Sequence, residues 1–520
     1  MTNRPKFAAK PIEYILFFST GGDFLLPVNS GGHTAYQNFV TENLRKYYPN
    51  PNIIPRAAWD IIERFWHLDL SYTNELLRSK YSVFGPKPRT PSCMQRSYLL
   101  SIDFKVDSIT DWVAQLKINR LYAILSGFNF GDTPGIGTFY DFFNILWDSD
   151  EDNLSPHGHP LKKKKIKKPK TKGTKAESVE KLTVAELLPL LENSSFHLDE
   201  QPYASLFKIY KQDFLDISVS KELILPDSLA IAGDGTPVVT SLRERKKRIC
   251  DCKQKGITDC KCDRYFSQPD CDIGWNSSRD CWYHGYDLYM LVDSQSDLPV
   301  FPHFSCASKH DSHGFLHAFF RMKAFLPDYK ISKVILDSAH DAMPYYQYFK
   351  RENITPFIDL NGKGGRPPVY KNDFTIDKDG VPICPVGHRM RCDGIEATKG
   401  RMKFKCPKMC RKNGCLSCTC DTPCSDAKYG RTVHLVLHDN PRLFNNPPGS
   451  SKEWKLEYNA RTSVERSNKR EKIDFKLESG RHRSTKMWYC RLYHILMLQH
   501  LNAWDLPNES ALRKLIQQTA

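Results

Sequence analysis

Apolar residues recur at helical spacing through about the first 150 positions and later gather into short strand-like runs separated by helical ones. "SCMQRSYLLSIDF", "SITDWVAQLKINRLYAILSGF" and "GTFYDFFNILW" carry the helical spacing, with short Gly and Pro breaks between them. One more helical segment, "TVAELLPLLENSSF", precedes the change of pattern. "DSLAIAGDGTPV" then predicts a short apolar strand ending at Asp234. "YHGYDLYMLVD" and "LPVFPHFS" predict two antiparallel strands. "DSHGFLHAFFRMKAFL" predicts a helix capped by Asp311 or Ser312. "ISKVILDSAHD" predicts a buried β-branched strand ending at Asp337, "AMPYYQYFKREN" a helix and "ITPFIDL" a further strand.

That order of elements matches an α/β core of ribonuclease-H-like fold: a mixed sheet flanked by helices, preceded here by a mainly helical region. A chain of 520 residues has room for two to four domains, and 40% hydrophobic content supplies real cores. The net charge of +16 points to a polyanionic partner. Nucleic acid fits better than a membrane surface, because no apolar run approaches ~18 residues. "YILFF", from Tyr14 to Phe18, is too short for a span and lacks a signal-peptide frame. The expectation is a cytoplasmic protein without membrane partners. "PHGHPLKKKKIKKPKTKGTK" holds nine lysines and almost no apolar residues, so it reads as a linker, either a solvated spacer or an arm that tracks phosphates.

"YNARTSVERSNKREK" places Tyr458, Arg461, Glu465 and Lys472 within roughly 60° of one another on a single α-helix. The plain reading of that stripe is an Arg461–Glu465 pair on a solvated face. The chemical reading is a carboxylate offered to a metal, with cations beside it for phosphates. Two-metal phosphoryl transfer needs further carboxylates at strand ends, holding two Mg²⁺ about 4 Å apart. Asp234 and Asp337 are the candidates, with Glu465 as the third ligand. Asp341, Asp293 and Asp311 compete and rank lower, because they fall in loops or at helix starts.

These residues bring a resemblance. The chain resembles the DDE transposases of bacterial insertion sequences, in the subgroup with a Tyr-Arg-Glu-Lys signature, whose two-three-six spacing "YNARTSVERSNKREK" reproduces. "FGPKPRTPSCMQRSYLL" and "GIGTFYDFFNILW" look like the amino-terminal segment of these enzymes, "AGDGTPV" like the first-aspartate block and "VILDSAHD" like the second. The second block departs from the frequent Asp-Ala-Gly-Tyr-Asp, since Ser338, Ala339 and His340 stand between Asp337 and Asp341. The resemblance implies hydrolysis of phosphodiesters at element ends, then attack of the freed 3′-hydroxyl on target DNA. It implies two Mg²⁺ ions, replaceable by Mn²⁺, held by Asp234, Asp337 and Glu465. Arg461 and Lys472 would hold the DNA backbone, with Tyr458 bonding or stacking beside them. The implied partners are duplex DNA, at the terminal repeats and at the target, and a second copy of the chain on DNA. The implied location is the bacterial nucleoid. Arg481, Arg483 and Lys486 follow the glutamate helix and add candidate phosphate contacts. Two alternatives stand beside this reading: a zinc-stabilised DNA-binding protein with an inactive core, and a nuclease that cuts without joining.

Of 17 cysteines, 14 lie in two windows, which in a reducing compartment suggests metal before disulfides. The first window, Cys250, Cys252, Cys260 and Cys262, continues to Cys271 and Cys281. The second holds Cys384, His388, Cys392, Cys406, Cys410, Cys415, Cys418, Cys420 and Cys424. Both are candidate sites for structural Zn²⁺, which would staple insertions unable to form cores of their own. The expected organisation is a helical DNA-binding domain at 1–155 and a basic linker at 156–180. The core follows at 181–360 with a cysteine-rich insertion at 245–282, then a second insertion at 361–450, and the rest of the core with the glutamate helix at 451–520. Within the first domain "DTPGIGTFYDFF" could supply a recognition helix, although Phe139, Phe142 and Phe143 read better as packed.

Overall fold

The computed structural model describes residues 32–154 apart from 83, 85 and 86, then 182–240, scattered residues between 247 and 268, and 270–362, 374–412, 415–480, 482–506 and 511–517. Helices fill the amino-terminal part, among them Pro91–Asp103, Ile109–Ile118, Arg120–Ser126 and Ile136–Leu146. Local chemistry sets their ends. Pro91 stands at a first helical turn, where its missing N–H costs nothing. Asn119 accepts from the Leu121 and Tyr122 N–H groups, so the long apolar segment read from 108 onward splits into two helices. Gly127 closes the second at φ +87°, and a side chain there would meet Cys93 Sγ at 2.7 Å. Phe139, Phe142 and Phe143 are buried, as their spacing suggested.

Six strands form the main sheet: β1 (Leu229–Val239), β2 (Asp272–Asn276), β3 (Cys281–Asp293), β4 (Pro299–Cys306), β5 (Ile331–Leu336) and β6 (Thr355–Ile358). β3 lies antiparallel to β1, and its outer edge is shared by β2 along its first half and β4 along its second. β5 and β6 run parallel to β1 and to each other. The spatial order β4-β3-β1-β5-β6 therefore puts the first strand at the centre of a mixed sheet with flanking helices. β1 does not end at Asp234. Its polar half, Gly235 to Val239, continues as strand because β3 pairs with it rung by rung as far as Gly285. The helix Asp311–Phe325 is capped by His310, whose ring accepts from the Ser312 N–H, in place of Asp311 or Ser312.

The helix Thr485–Ala503 is buried along most of its length and packs on Pro91–Asp103, Ile136–Leu146 and Ala204–Tyr210. One hydrophobic cluster thus runs from Tyr36 through the sheet to Ile516. Within it, Glu471 is fully buried beside Ser467 and Gln499, and burial lifts its carboxyl to about 7. The folded chain then holds this proton up to about pH 7, whereas the unfolded chain loses it near 4.5, so stability falls as pH rises between the two. Glu471→Gln, which copies the protonated form, should stabilise the protein by about 1–3 kcal/mol near pH 8 and hardly at all near pH 4. Urea unfolding at the two pH values reads this directly.

The second cysteine-rich insertion has a core of its own, contrary to the sequence expectation. A three-stranded antiparallel sheet, Arg391–Glu396, Arg401–Lys405 and Thr432–Val436, buries Met402, Phe404, Val433 and Leu435 against Ile376, Val381, Met390, Leu443 and Phe444. Asp341 fastens it to the main body. Its side chain is fully buried, accepts from Arg442 Nε at 2.7 Å and Nη2 at 2.5 Å, and accepts from the Asn361 N–H at 2.6 Å. Arg442→Ala leaves that carboxylate buried without its partner and should cost about 3–5 kcal/mol. Faster protease cleavage within 374–445 than in the wild type is the expected sign.

Candidate active site

Pairing between β1 and β5 ends at the rung Ala232↔Ile335, and two residues further along each strand stand Asp234 and Asp337. Equal offsets on neighbouring parallel strands leave the two carboxylates level with each other. Burial is the main force raising the Asp234 carboxyl to about 7; Arg461 opposes it, and Asp337 and Asp311 add to it. Burial is the largest single influence and pushes Asp337 up, but His340, the Ala339 N–H and Arg461 together outweigh it and hold the carboxyl below the ordinary range. Asp337 Oδ1 accepts from the Ala339 N–H at 3.1 Å and lies 2.6 Å from His340 Nδ1. The fully buried His340 reaches Tyr289 Oη with Nε2 at 2.9 Å.

The signature residues do not share one uninterrupted α-helix. Tyr458 closes the helix Lys452–Asn459, the chain tightens through Ala460 and Arg461, and Glu465 stands on Thr462–Lys469. A π-turn at Arg470–Asp474 then displaces Lys472 from the predicted stripe. Ion pairs hold these pieces on the sheet. Lys333 of β5 meets Glu457 at 2.8 Å, and Arg466 grips Asp297, after β3, at 2.6 and 2.7 Å. Val464 anchors the glutamate helix in the core. Arg461 bonds to Glu465 and stands 3.8 Å from Asp234, so the guanidinium lies between the two carboxylates. The i,i+4 pair of the plain reading is therefore present, and it faces the aspartates. Tyr458 stacks on Trp454, with burial lifting its hydroxyl to about 12.

The other candidates separate. Lys472 donates to Pro237 O and pairs with Glu478 at 3.2 Å, which places it against the end of β1. Lys486 is engaged by Asp152 and Asn144. Arg483 is exposed, and Arg481 lies outside the described residues. Asp293 closes a turn, accepting from Ser296. Sequence reasoning ranked Asp311 low and passed over Asp287, His340 and Tyr289. His340 had been visible only as a departure from a motif.

All the acidic groups offer hard oxygen donors, the kind that suits Mg²⁺ or Mn²⁺. One buried oxygen, Asp287 Oδ2, has no hydrogen-bond partner, which fits a site that accepts a cation. With Arg461 between Asp234 and Glu465, no three His, Cys, Asp or Glu side chains among the described residues are gathered closely enough to hold an ion. The same holds for the thiols. Cys424 hydrogen-bonds with Cys384 and Cys420 with Cys418, Cys406 lies near enough to act on both Cys420 and Cys424, all of them are free thiols, and the insertion has an apolar core beside them. Cys250, Cys260 and Cys262 lie outside the described residues, as does the side chain of Cys415.

The mixed sheet thus carries an acidic site at the ends of β1 and β5. Residues 251–499 match the family model of the transposase DDE domain. The match contains Asp337, Glu465 and both aspartate-supporting residues His340 and Tyr289, and it begins after β1 and Asp234. The match supports a transposase function in general terms, and that family implies DNA as a partner. No curated protein matches the chain. Among the described residues, no helix is long and apolar enough to cross a membrane.

Proposed function

We propose that the protein is an active DDE transposase of the bacterial insertion-sequence type with the Tyr-Arg-Glu-Lys signature, built on a ribonuclease-H-like core. It hydrolyses phosphodiesters at element ends and joins the freed 3′-hydroxyl to target DNA. The observation that carries this reading is the level placement of Asp234 and Asp337 on neighbouring parallel strands, with Arg461 linking Asp234 to Glu465. The strand order β4-β3-β1-β5-β6, with β3 antiparallel, supports the fold assignment.

Asp234, Asp337 and Glu465 would hold the divalent ions. The chemistry such ions supply is activation of the attacking oxygen and stabilisation of the leaving one. Arg461 would give up its two carboxylates and take a DNA phosphate, for which a guanidinium is the best-matched side chain. His340 keeps Asp337 aimed. Tyr458, half-buried in its stack with Trp454, would pack against the DNA next to Arg461.

The test is cleavage and joining of DNA that carries the flanking repeat ends, in Mg²⁺, with wild type and Glu465→Gln. The wild type should cut and join, and the variant should bind DNA without cutting. Cutting without joining by the wild type would make the protein a nuclease. Binding without reaction by both would leave a DNA-binding relic.

A further inference from the structure

On the far side of Gly235 from Asp234 lies a second pair of carboxylates. A Cβ added at Gly235 would fall 2.6 Å from Asp311 Oδ1 and 3.3 Å from Asp287 Oδ1, so both carboxylates converge on this glycine of β1. Asp287 comes from β3, opposite Pro237, and Asp311 from the first turn of the helix Asp311–Phe325. Asp287 is 6% exposed, and its Oδ2 is buried with no hydrogen-bond partner.

The neighbouring basic groups are engaged elsewhere. Lys472, which faces Asp287, donates to Pro237 O and pairs with Glu478. His340 and His310, which face Asp311, are bonded to Asp337 and Tyr289 and to Ser312. Two adjoining carboxylates, one of them almost wholly buried, are costly without a counter-charge. Gly235, bare of a side chain, lets both carboxylates close on β1. Hard carboxylate oxygens suit a small divalent cation.

We infer that Asp287 and Asp311 form a further divalent-cation position, separated from Asp234 by Gly235 and distinct from the ligands Asp337 and Glu465. The inference rests on the metal-dependent reading above and adds an ion to it. The position would set the charge behind Asp234 while leaving that residue free to face Arg461 and the glutamate helix.

Mn²⁺ titration of the full chain without DNA, followed by the electron paramagnetic resonance signal of free Mn²⁺, tests this apart from activity. The double variant Asp287→Asn/Asp311→Asn should bind one ion fewer per chain than wild type, with its circular dichroism unchanged. Gly235→Ala, which pushes Asp311 aside but keeps both carboxylates, should weaken that ion at least tenfold. Asp337→Asn should keep it. The same stoichiometry and affinity in the double variant as in wild type would overturn the inference, and a proton shared by the pair would give that result. If Asp337→Asn loses ions while the double variant keeps them all, this inference falls and the proposed function stands. If neither variant changes Mn²⁺ binding, the metal-dependent reading falls as well.

Discussion

Asp337→Asn should cut element-end DNA at least about a thousandfold more slowly than wild type, a loss of about 4 kcal/mol in transition-state stabilisation, while binding the same DNA within about twofold. The size follows from charge. Asn keeps the shape of Asp and can still accept from the Ala339 N–H and from His340 Nδ1, so the turn Ser338–His340 survives. What it cannot do is present an anion. Asp337 is the carboxylate whose surroundings hold it ionised, since His340, the Ala339 N–H and Arg461 together keep it below the ordinary range while burial leaves Asp234 near 7. Removing the anion that is held ready should therefore hurt more than removing a surface charge of the same kind. Single-turnover cleavage and a gel-shift assay on one DNA substrate separate the two effects. A variant cutting within tenfold of wild type would show that Asp337 is not a ligand.

Much of this site could be read along the chain, because the signals were local. β-branched runs marked β5, and a signature of four residues marked the glutamate helix. The remainder depended on pairing across the fold. The polar half of β1 looks like a turn in sequence, with Gly, Thr and Pro in succession, and becomes strand only because β3 extends alongside it. Asp287 occupies a polar position in the alternation of "YHGYDLYMLVD", and nothing local reveals that it faces Asp311 across Gly235. Asp341 seemed a reserve for Asp337, yet Arg442, 101 residues onward, claims it. The helix stripe assumed 3.6 residues per turn throughout, and the tight turn at Ala460 and the π-turn at Arg470 each break that period. The insertion's core escaped notice because its apolar residues are spread thinly among cysteines and lysines over some sixty positions.

His340→Ala should lower cleavage by about 10–100-fold and raise the Mg²⁺ concentration needed for half-maximal rate, the usual cost of losing a group that orients a metal ligand. His340 is fully buried and acts through Asp337. Because Nδ1 faces a carboxylate, the ring proton belongs there, which leaves Nε2 to accept from the Tyr289 hydroxyl. Tyr289 is itself fully buried between β1 and the helix Asp311–Phe325, so the relay from Tyr289 through His340 fixes the Asp337 carboxylate from inside the core. Tyr289→Phe removes only the outer donor and should cost less, within about tenfold. A packing role for His340 would give a different pattern: a lower melting temperature, with the Mg²⁺ requirement of the folded protein unchanged. An orienting role moves the Mg²⁺ requirement even at temperatures where the variant is fully folded, and the two variants should then rank in the order of their distance from Asp337.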